Sequence, residues 1–245
     1  PEFKADAENA VAPSGYVETF QNLNASVNAN SYLGYITLQS YDVDQCASFC
    51  DNTDLCTGFN IYIERDPSIN PGQCSCTNPP SITNYKCSIW GSGVDAEAAT
   101  NFGQSRDDFQ VVITASNGYE KGLMAPMTVA TDWPNPQNCS AAHSHPDTCI
   151  GQKFFPGPFD VDVCAAFADA QNHANGWGKC SNGHGHGPKC NFFNAYMLLE
   201  NGIPKGTYCS LFSHQYPPSD AHFTPGWHNG DHWGVGSSWS YCLDN

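Results

Sequence analysis

The chain has few basic residues and no long apolar run. Nine lysines and arginines stand against 24 aspartates and glutamates, which gives a formal net charge of -15. That charge repels the phosphate backbone on which nucleic-acid affinity depends, and it disfavours anionic membrane surfaces. No stretch approaches the roughly 20 apolar residues that cross a bilayer. We therefore expect no nucleic-acid binding and no membrane insertion, and since no signal peptide opens the chain, we expect a mature form.

Recognisable catalytic motifs are also lacking. The sequence has no Gly-x-Ser-x-Gly elbow, no His-Glu-x-x-His pair, no phosphate loop and no dinucleotide fingerprint. Paired carboxylates for glycoside hydrolysis stay open, because the fold and not the spacing brings such residues together. The sequence favours a binding protein over an enzyme.

Cysteine is abundant. Thirteen cysteines in a chain with only 13% charged residues indicate a disulfide framework formed in an oxidising compartment. Two sequons, at Asn24 and Asn138, would be glycosylation acceptors on the surface of a secreted chain. We expect a secreted glycoprotein that is extracellular or associated with a cell wall.

Two segments recur along the chain in the same order. Residues 41–49 (YDVDQCASF) return after 118 positions as residues 159–167 (FDVDVCAAF). Residues 56–62 (CTGFNIY) return after 134 positions as residues 190–196 (CNFFNAY). Such self-similarity indicates two diverged copies of one unit.

The repeat predicts how the chain is divided. We expect an N-terminal tail at residues 1–15, a first module at 16–118 and a second module at 119–245. The two offsets differ by 16 residues, so the second copy contains an insert between its helix and its next strand. This His/Gly/Cys-rich insert, near 172–189, is expected to be an exposed loop.

Local patterns predict the elements of each copy. An aspartate precedes an Ala/Cys/Phe run in both, as at a helix N-terminus where a carboxylate accepts from the amides of the first turn. Residues 59–63 and 193–199 are expected to be strands, and residues 108–113 have the clearest strand pattern. The predicted fold class is α+β, with a small antiparallel sheet packed with one short helix in each module.

The cysteine pattern of the first copy resembles that of the PAN/apple module, in which disulfides tie a helix to a curved sheet. The matching residues are Cys46, Cys50, Cys56, Phe59 and Cys74. The resemblance implies two disulfide-stapled PAN/apple-like modules and a role in adhesion to glycans or proteins. The wider sequence is similar to uncharacterised secreted proteins of filamentous fungi.

The resemblance also implies a set of disulfide bonds. Ala168 replaces the counterpart of Cys50 in the second copy, so Cys180 of the insert is the candidate partner for Cys190. Cys242 is left without a partner in this set. It is a buried thiol, or it pairs with another molecule, or the assignment of Cys139 to Cys149 is wrong. The pairs expected by analogy are Cys46–Cys74, Cys50–Cys56, Cys76–Cys87, Cys164–Cys209, Cys180–Cys190 and Cys139–Cys149.

Histidine is absent from the first copy, and all nine histidines lie in the second. His184 and His186 belong to the insert, and His228 and His232 belong to a glycine-rich stretch near Asp231. Two imidazoles from each segment, with or without the carboxylate, have the donor set of a zinc or copper site. The other interpretation is that these are polar loop histidines.

Aromatic residues in the same region suggest a carbohydrate site. A tryptophan ring covers the apolar face of a sugar, and neighbouring polar groups bind its hydroxyls. The candidate ligand-binding residues are Trp177, Tyr216, Trp227, Asp231 and Trp233. The alternative is that such aromatics complete a small core.

Three functions are therefore left, in order of preference. The first is an extracellular, non-catalytic binding protein that recognises glycans, or else proteins of a cell wall or matrix. The second is a secreted zinc- or copper-binding protein that uses the histidines of the second module. The third is a hydrolase of wall polysaccharide.

Overall fold

The structure, a computed structural model, describes residues 2–73, 76–122, 133–177 and 187–243. By their contacts the residues form two compact units, Pro1–Leu123 and Met124–Asn245.

The first unit is built around one antiparallel sheet of five strands. The strand order is β1-β7-β3-β4-β2, and β5 and β6 form a separate two-stranded sheet. Helix α2 packs on β3 and β4. The elements are α1 (Glu2–Glu8), β1 (Tyr16–Leu23), β2 (Tyr32–Leu38), α2 (Val43–Asp51), β3 (Gly58–Pro67), β4 (Ser81–Trp90), β5 (Ser105–Arg106), β6 (Phe109–Gln110) and β7 (Val112–Lys121).

The second unit has one antiparallel sheet of six strands. The order is β12-β13-β10-β11-β9, and β8 also pairs with β13. Helix α3 packs on β10 and β11. The elements are β8 (Gln137–Asn138), β9 (Cys149–Pro156), α3 (Asp162–Ala174), β10 (Phe192–Glu200), β11 (Ile203–Phe212), β12 (Gly226–His228) and β13 (Asp231–Cys242), with a 3-10 turn at Pro218–Asp220.

The α+β expectation is wrong, because the protein consists mostly of antiparallel sheet. Strands make up 45% of the described residues and helices 14%. Strand β13 shows why the sequence understated the sheet: its glycines and serines are typical of loops. It is nevertheless held on both sides, by β10 and by the short strands β12 and β8.

The two sheets share a connectivity that the repeat motifs mark. In both, the strand carrying the Phe-Asn-x-Tyr motif is the third of its sheet and forms a hairpin with the next strand. The register is the same, since Asn60 lies opposite Ser88, and Asn194 lies opposite Ser210. Positions in one unit therefore have counterparts in the other.

Three local expectations differ from the structure. The strand expected at 108–113 is divided, because β6 turns back to pair with β5 and β7 begins at Val112. Part of the expected tail is helix α1, whose Ala7 is buried beside Ile63 and Ala115. Strand β7 runs to Lys121, so the module boundary predicted after residue 118 falls inside it.

Three disulfide bonds join cysteines of the described residues. Cys50–Cys56 and Cys164–Cys209 are pairs that the PAN/apple analogy implies, whereas Cys46 bonds to Cys87. Because Cys46 bonds to Cys87, the expected Cys46–Cys74 and Cys76–Cys87 pairs are both wrong.

Sheet register explains the Cys46–Cys87 bond. Cys87 lies opposite Ile61 on β4, just as Cys209 lies opposite Ala195 on β11. Cys87, and not Cys74, is therefore the counterpart of Cys209. The sequence hid this because the connection between β3 and β4 spans residues 68–80, whereas β10 and β11 are joined by residues 201–202 alone.

The remaining described cysteines are free thiols. Cys139 and Cys149 are not bonded to each other, so that expected pair is wrong as well. Cys76 and Cys242 are also unbonded, and Cys190 is a buried thiol. Cys74 and Cys180, the expected partners of Cys46 and Cys190, lie outside the described residues.

Hydrogen bonds take the place of the missing helix disulfide in the second unit. One turn after Ala168, Asn172 donates to the carbonyl oxygen of Cys190 at 3.1 Å and accepts from its amide at 2.6 Å. Helix α3 is thus fastened to the start of β10 where Cys50–Cys56 fastens α2 to β3. It also runs to Ala174, so the first three residues of the expected insert loop are helical.

Candidate functional site

A cavity of about 410 Å³ opens on the second sheet. Side chains alternate along β10, so Phe193, Ala195 and Met197 enter the core with α3, and Tyr196 and Leu198 line the cavity on the opposite face. The volume is within the range of about 300–1,000 Å³ usual for small-molecule sites. The lining residues are His143, Ser144, Gln152, Tyr196, Leu198, Tyr208, Ser210, Phe223, Pro225, Trp227, His228 and Trp233.

Two stacked tyrosines form one wall. Tyr196 and Tyr208 lie opposite each other on β10 and β11, with ring centroids 5.2 Å apart and an interplanar angle of 27°. Tyr196 is 3% exposed, and burial raises its pKa well above the usual range, so the phenol stays protonated. Beyond these rings, Gln152 donates to Ser210 at 3.5 Å. This wall combines apolar ring surface with hydroxyl and amide groups.

A tight hairpin brings two tryptophans to the cavity. Asn229 and Gly230 have φ values of 52° and 94°, and Asn-Gly with two positive φ angles is the sequence of a two-residue hairpin turn. The turn pairs β12 with β13, and Trp227 lies opposite His232. Trp227 is 75% exposed, so its ring is available at the edge of the cavity.

The hairpin is held in place by Asn201. Its side chain accepts from the amide of His232 at 2.9 Å and donates to the carboxylate of Asp231 at 2.9 Å. Its own amide donates to the carbonyl oxygen of His232 at 2.7 Å. These three bonds set the position from which Trp227 and Trp233 contact the cavity.

His143 forms a buried, neutral part of the lining. Its Nδ1 lies 3.2 Å from Nε2 of His145, so one ring donates to the other. Burial, with a further contribution from His145, lowers the pKa of His143 to about 4. The imidazole is therefore uncharged at neutral pH.

A buried asparagine positions this histidine. Asn194 accepts from the amide of His143 at 3.0 Å and donates to Ser238 Oγ and to the carbonyl oxygen of Trp239, each at 3.0 Å. In the first unit Asn60 makes the same three bonds, to Val27, Ser116 and Asn117. The asparagine of the repeated motif thus joins a loop to the last long strand in both units.

The sequence-predicted ligand residues fall into two groups. Trp227 and Trp233 line the cavity, whereas Trp177, Tyr216 and Asp231 are outside its lining. Asp231 instead accepts from Asn201, as described above.

The other two excluded candidates have structural contacts of their own. Tyr216 stacks on His145, with ring centroids 3.5 Å apart, and its hydroxyl is 2.7 Å from Thr148 Oγ1. Trp177 donates to the carbonyl oxygen of Gly187 at 2.8 Å.

The predicted metal ligands are not brought together within the described part of the chain. His228 lines the cavity beside Asn229, and His232 packs its ring against Trp227 at 5.3 Å. The described residues contain no group of three His, Cys, Asp or Glu side chains arranged to hold a metal ion. His184 and His186 lie outside the described residues.

Several lining residues were missed from the sequence. Tyr196 lies within the repeated motif, and the alternation along 192–200 was the available signal for a second, aromatic face. Gln152, Tyr208 and His143 come from separate strands and loops, and no local pattern singles them out.

The first unit has charged residues at the corresponding positions. By register, Lys86 is the counterpart of Tyr208, and Glu64 that of Leu198. Lys86 forms ion pairs with Glu64 and with Asp66, the latter at 3.2 Å. The first unit therefore has charged, ion-paired side chains where the second unit has Tyr208 and Leu198.

Comparison with known family models, curated proteins and solved structures finds no match to the chain. Among the described helices, none has the length and apolar character needed to cross a membrane.

Proposed function

We propose that the protein is an extracellular, non-catalytic glycan-binding protein and that the cavity of the second unit is its binding site. The main support is the exposed Trp227 ring at the edge of a cavity that contains hydroxyl and amide groups. An aromatic face beside convergent polar groups suits a sugar, which has an apolar face and a rim of hydroxyls.

Features outside the cavity support the extracellular setting. The three disulfide bonds are typical of oxidising compartments. The acceptor asparagines of both sequons, Asn24 and Asn138, are exposed, as attachment of a glycan requires. The resemblance to PAN/apple modules is part of the proposal, because it implies adhesion to glycans or proteins.

The composition of the cavity favours binding over hydrolysis. Glycosidases generally use two carboxyl groups that flank the scissile bond. Among the described residues that line the cavity, none is an aspartate or glutamate. A bound sugar would therefore lack the acid and base groups of such enzymes.

The test is a binding titration with plant and fungal wall oligosaccharides, followed by tryptophan fluorescence and calorimetry. We expect Trp227→Ala and Trp233→Ala to weaken binding at least tenfold, which corresponds to about 1.4 kcal/mol. Trp177→Ala is the matched control, since this partly exposed tryptophan is outside the cavity lining. Absence of binding by the wild type, or wild-type affinity in both cavity variants, would contradict the proposal.

Repeating the same titration with a chelator distinguishes the aromatic cavity from the alternative of a zinc or copper site. That alternative requires His184 and His186 to join the described histidines, and a chelator would then remove the metal. Binding that is unchanged by the chelator favours the aromatic cavity, whereas binding lost with the chelator and restored by zinc or copper favours the metal site.

A further inference from the structure

The described lining of the cavity has no acidic or strongly basic side chain, since none of its residues is Asp, Glu, Lys or Arg. A charged ligand group that enters such a site loses hydration without gaining an ionic partner, which is costly. The lining therefore favours an uncharged ligand.

Tyr196 brings a hydroxyl to the cavity. The residue is 3% exposed and lines the cavity, and its hydroxyl makes no hydrogen bond to any described residue. The hydroxyl is therefore available to bond to whatever occupies the cavity, water or a ligand. Because the protonated phenol is a good donor, an oxygen of a bound ligand would complete its hydrogen bonding.

Tyr62 is the counterpart of this tyrosine in the first unit, and the side chain of Ser26 lies beside its hydroxyl and interacts with it. The second unit has Ala142 where the first has Ser26. The change from serine to alanine therefore leaves no neighbouring hydroxyl at this position beside Tyr196.

Backbone bonds support the equivalence of Ser26 and Ala142. Ser26 forms an isolated antiparallel bridge with Asn101, and Ala142 forms one with Phe223. The next residue in each case, Val27 or His143, donates its amide to the motif asparagine. The same backbone path thus presents a hydroxyl in one unit and a methyl group in the other.

From these observations we infer that the cavity selects uncharged sugars and that the Tyr196 hydroxyl, beside which Ala142 stands in place of the serine of the first unit, donates a hydrogen bond to a sugar oxygen. The inference rests on the proposed function and adds the ligand class and a specificity-determining residue.

The selectivity test uses matched ligands at pH 7.5. Cello-, laminari-, manno- and N-acetylchitohexaose are titrated beside forms that carry a carboxylate at carbon 6. We expect at least one neutral hexaose to bind and its carboxylated form to bind at least tenfold more weakly. Equal affinity of both forms would overturn the selectivity while leaving glycan binding in place, and binding of none would overturn the proposed function as well.

The donor test uses two conservative variants. Tyr196→Phe removes the hydroxyl, and Ala142→Ser supplies the neighbouring hydroxyl found in the first unit. Each should weaken binding of the neutral hexaose about tenfold, with the thermal unfolding midpoint near that of the wild type. Tyr62→Phe, the matched control in the first unit, should leave the affinity unchanged.

The double variant distinguishes capture of the hydroxyl from a simple packing effect. If Ala142→Ser acts by bonding to Tyr196, it should have no further effect in the Tyr196→Phe background. Additive losses, or wild-type affinity in Tyr196→Phe, would overturn the role assigned to this hydroxyl. The glycan proposal would stand in either case if Trp227→Ala weakens binding as expected.

Discussion

Replacing Asn194 with alanine should destabilise the second unit. The asparagine is fully buried and makes three hydrogen bonds, which join the loop at His143 to β13. Without it, the amide of His143 and the carbonyl oxygen of Trp239 lose their partners in a buried setting. Ser238 keeps a bond, because its hydroxyl also donates to the carbonyl oxygen of Ala141 at 2.8 Å.

The magnitude follows from the two main-chain groups that are left unpaired. Each buried, unsatisfied group costs about 1–3 kcal/mol, so we expect a loss of about 2–5 kcal/mol in the free energy of unfolding. This is a large part of the roughly 5–15 kcal/mol typical of a folded domain.

Urea unfolding followed by tryptophan fluorescence is the assay. Five of the six tryptophans belong to the second unit and only Trp90 to the first, so fluorescence reports mainly on the unit that contains Asn194. Asn60→Ala is the matched control, because it removes the equivalent bonds from the first unit. It should shift the unfolding transition seen by fluorescence far less than the transition seen by circular dichroism. A loss below about 0.5 kcal/mol for Asn194→Ala, the level of an ordinary surface change, would refute the reasoning.

Two further predictions concern the second unit. Ala168→Cys should form a disulfide with Cys190, in the manner of Cys50–Cys56. It should raise the free energy of unfolding by about 3 kcal/mol, as expected for closing a loop of about 20 residues. More titratable thiols in the denatured variant than in the denatured wild type would contradict this prediction. Because the pKa of His143 is lowered to about 4, from about 6.5 in the unfolded chain, the unfolded state binds the extra proton between these pH values. The free energy of unfolding should therefore fall as the pH is lowered from 6.5 to 4, by up to about 1.4 kcal/mol per pH unit from this group. A His143→Gln variant, measured by the same urea titrations, should lack this contribution to the pH dependence. Equal pH dependence of the wild type and the variant would contradict the prediction.

Local signals in the sequence were sufficient for several elements. Asp42 begins helix α2 as expected, with its carboxylate accepting from the amide of Gln45 at 2.9 Å. The segments around Phe59 and Phe193 are strands. These features depend on contacts between residues close in the chain, which a short motif contains in full.

Longer-range features were predicted less well. The Cys46–Cys74 pair, expected by analogy with the PAN/apple module, is wrong because sheet register and not the order of cysteines along the chain decides which cysteines meet. The fold class was wrong because strands such as β13 are stabilised by their neighbours and not by their own composition.

The sequence by itself determined the repeat, the presence of disulfide bonds and two of the aromatic residues at the cavity, Trp227 and Trp233. Only the tertiary structure decided which other side chains join them, because Tyr196, Gln152 and His143 come from different strands and loops and meet through sheet pairing. Tertiary structure likewise decided that the Tyr196 hydroxyl has no hydrogen-bond partner among the described residues. The replacement of a serine by Ala142 has meaning only once both units are compared in register.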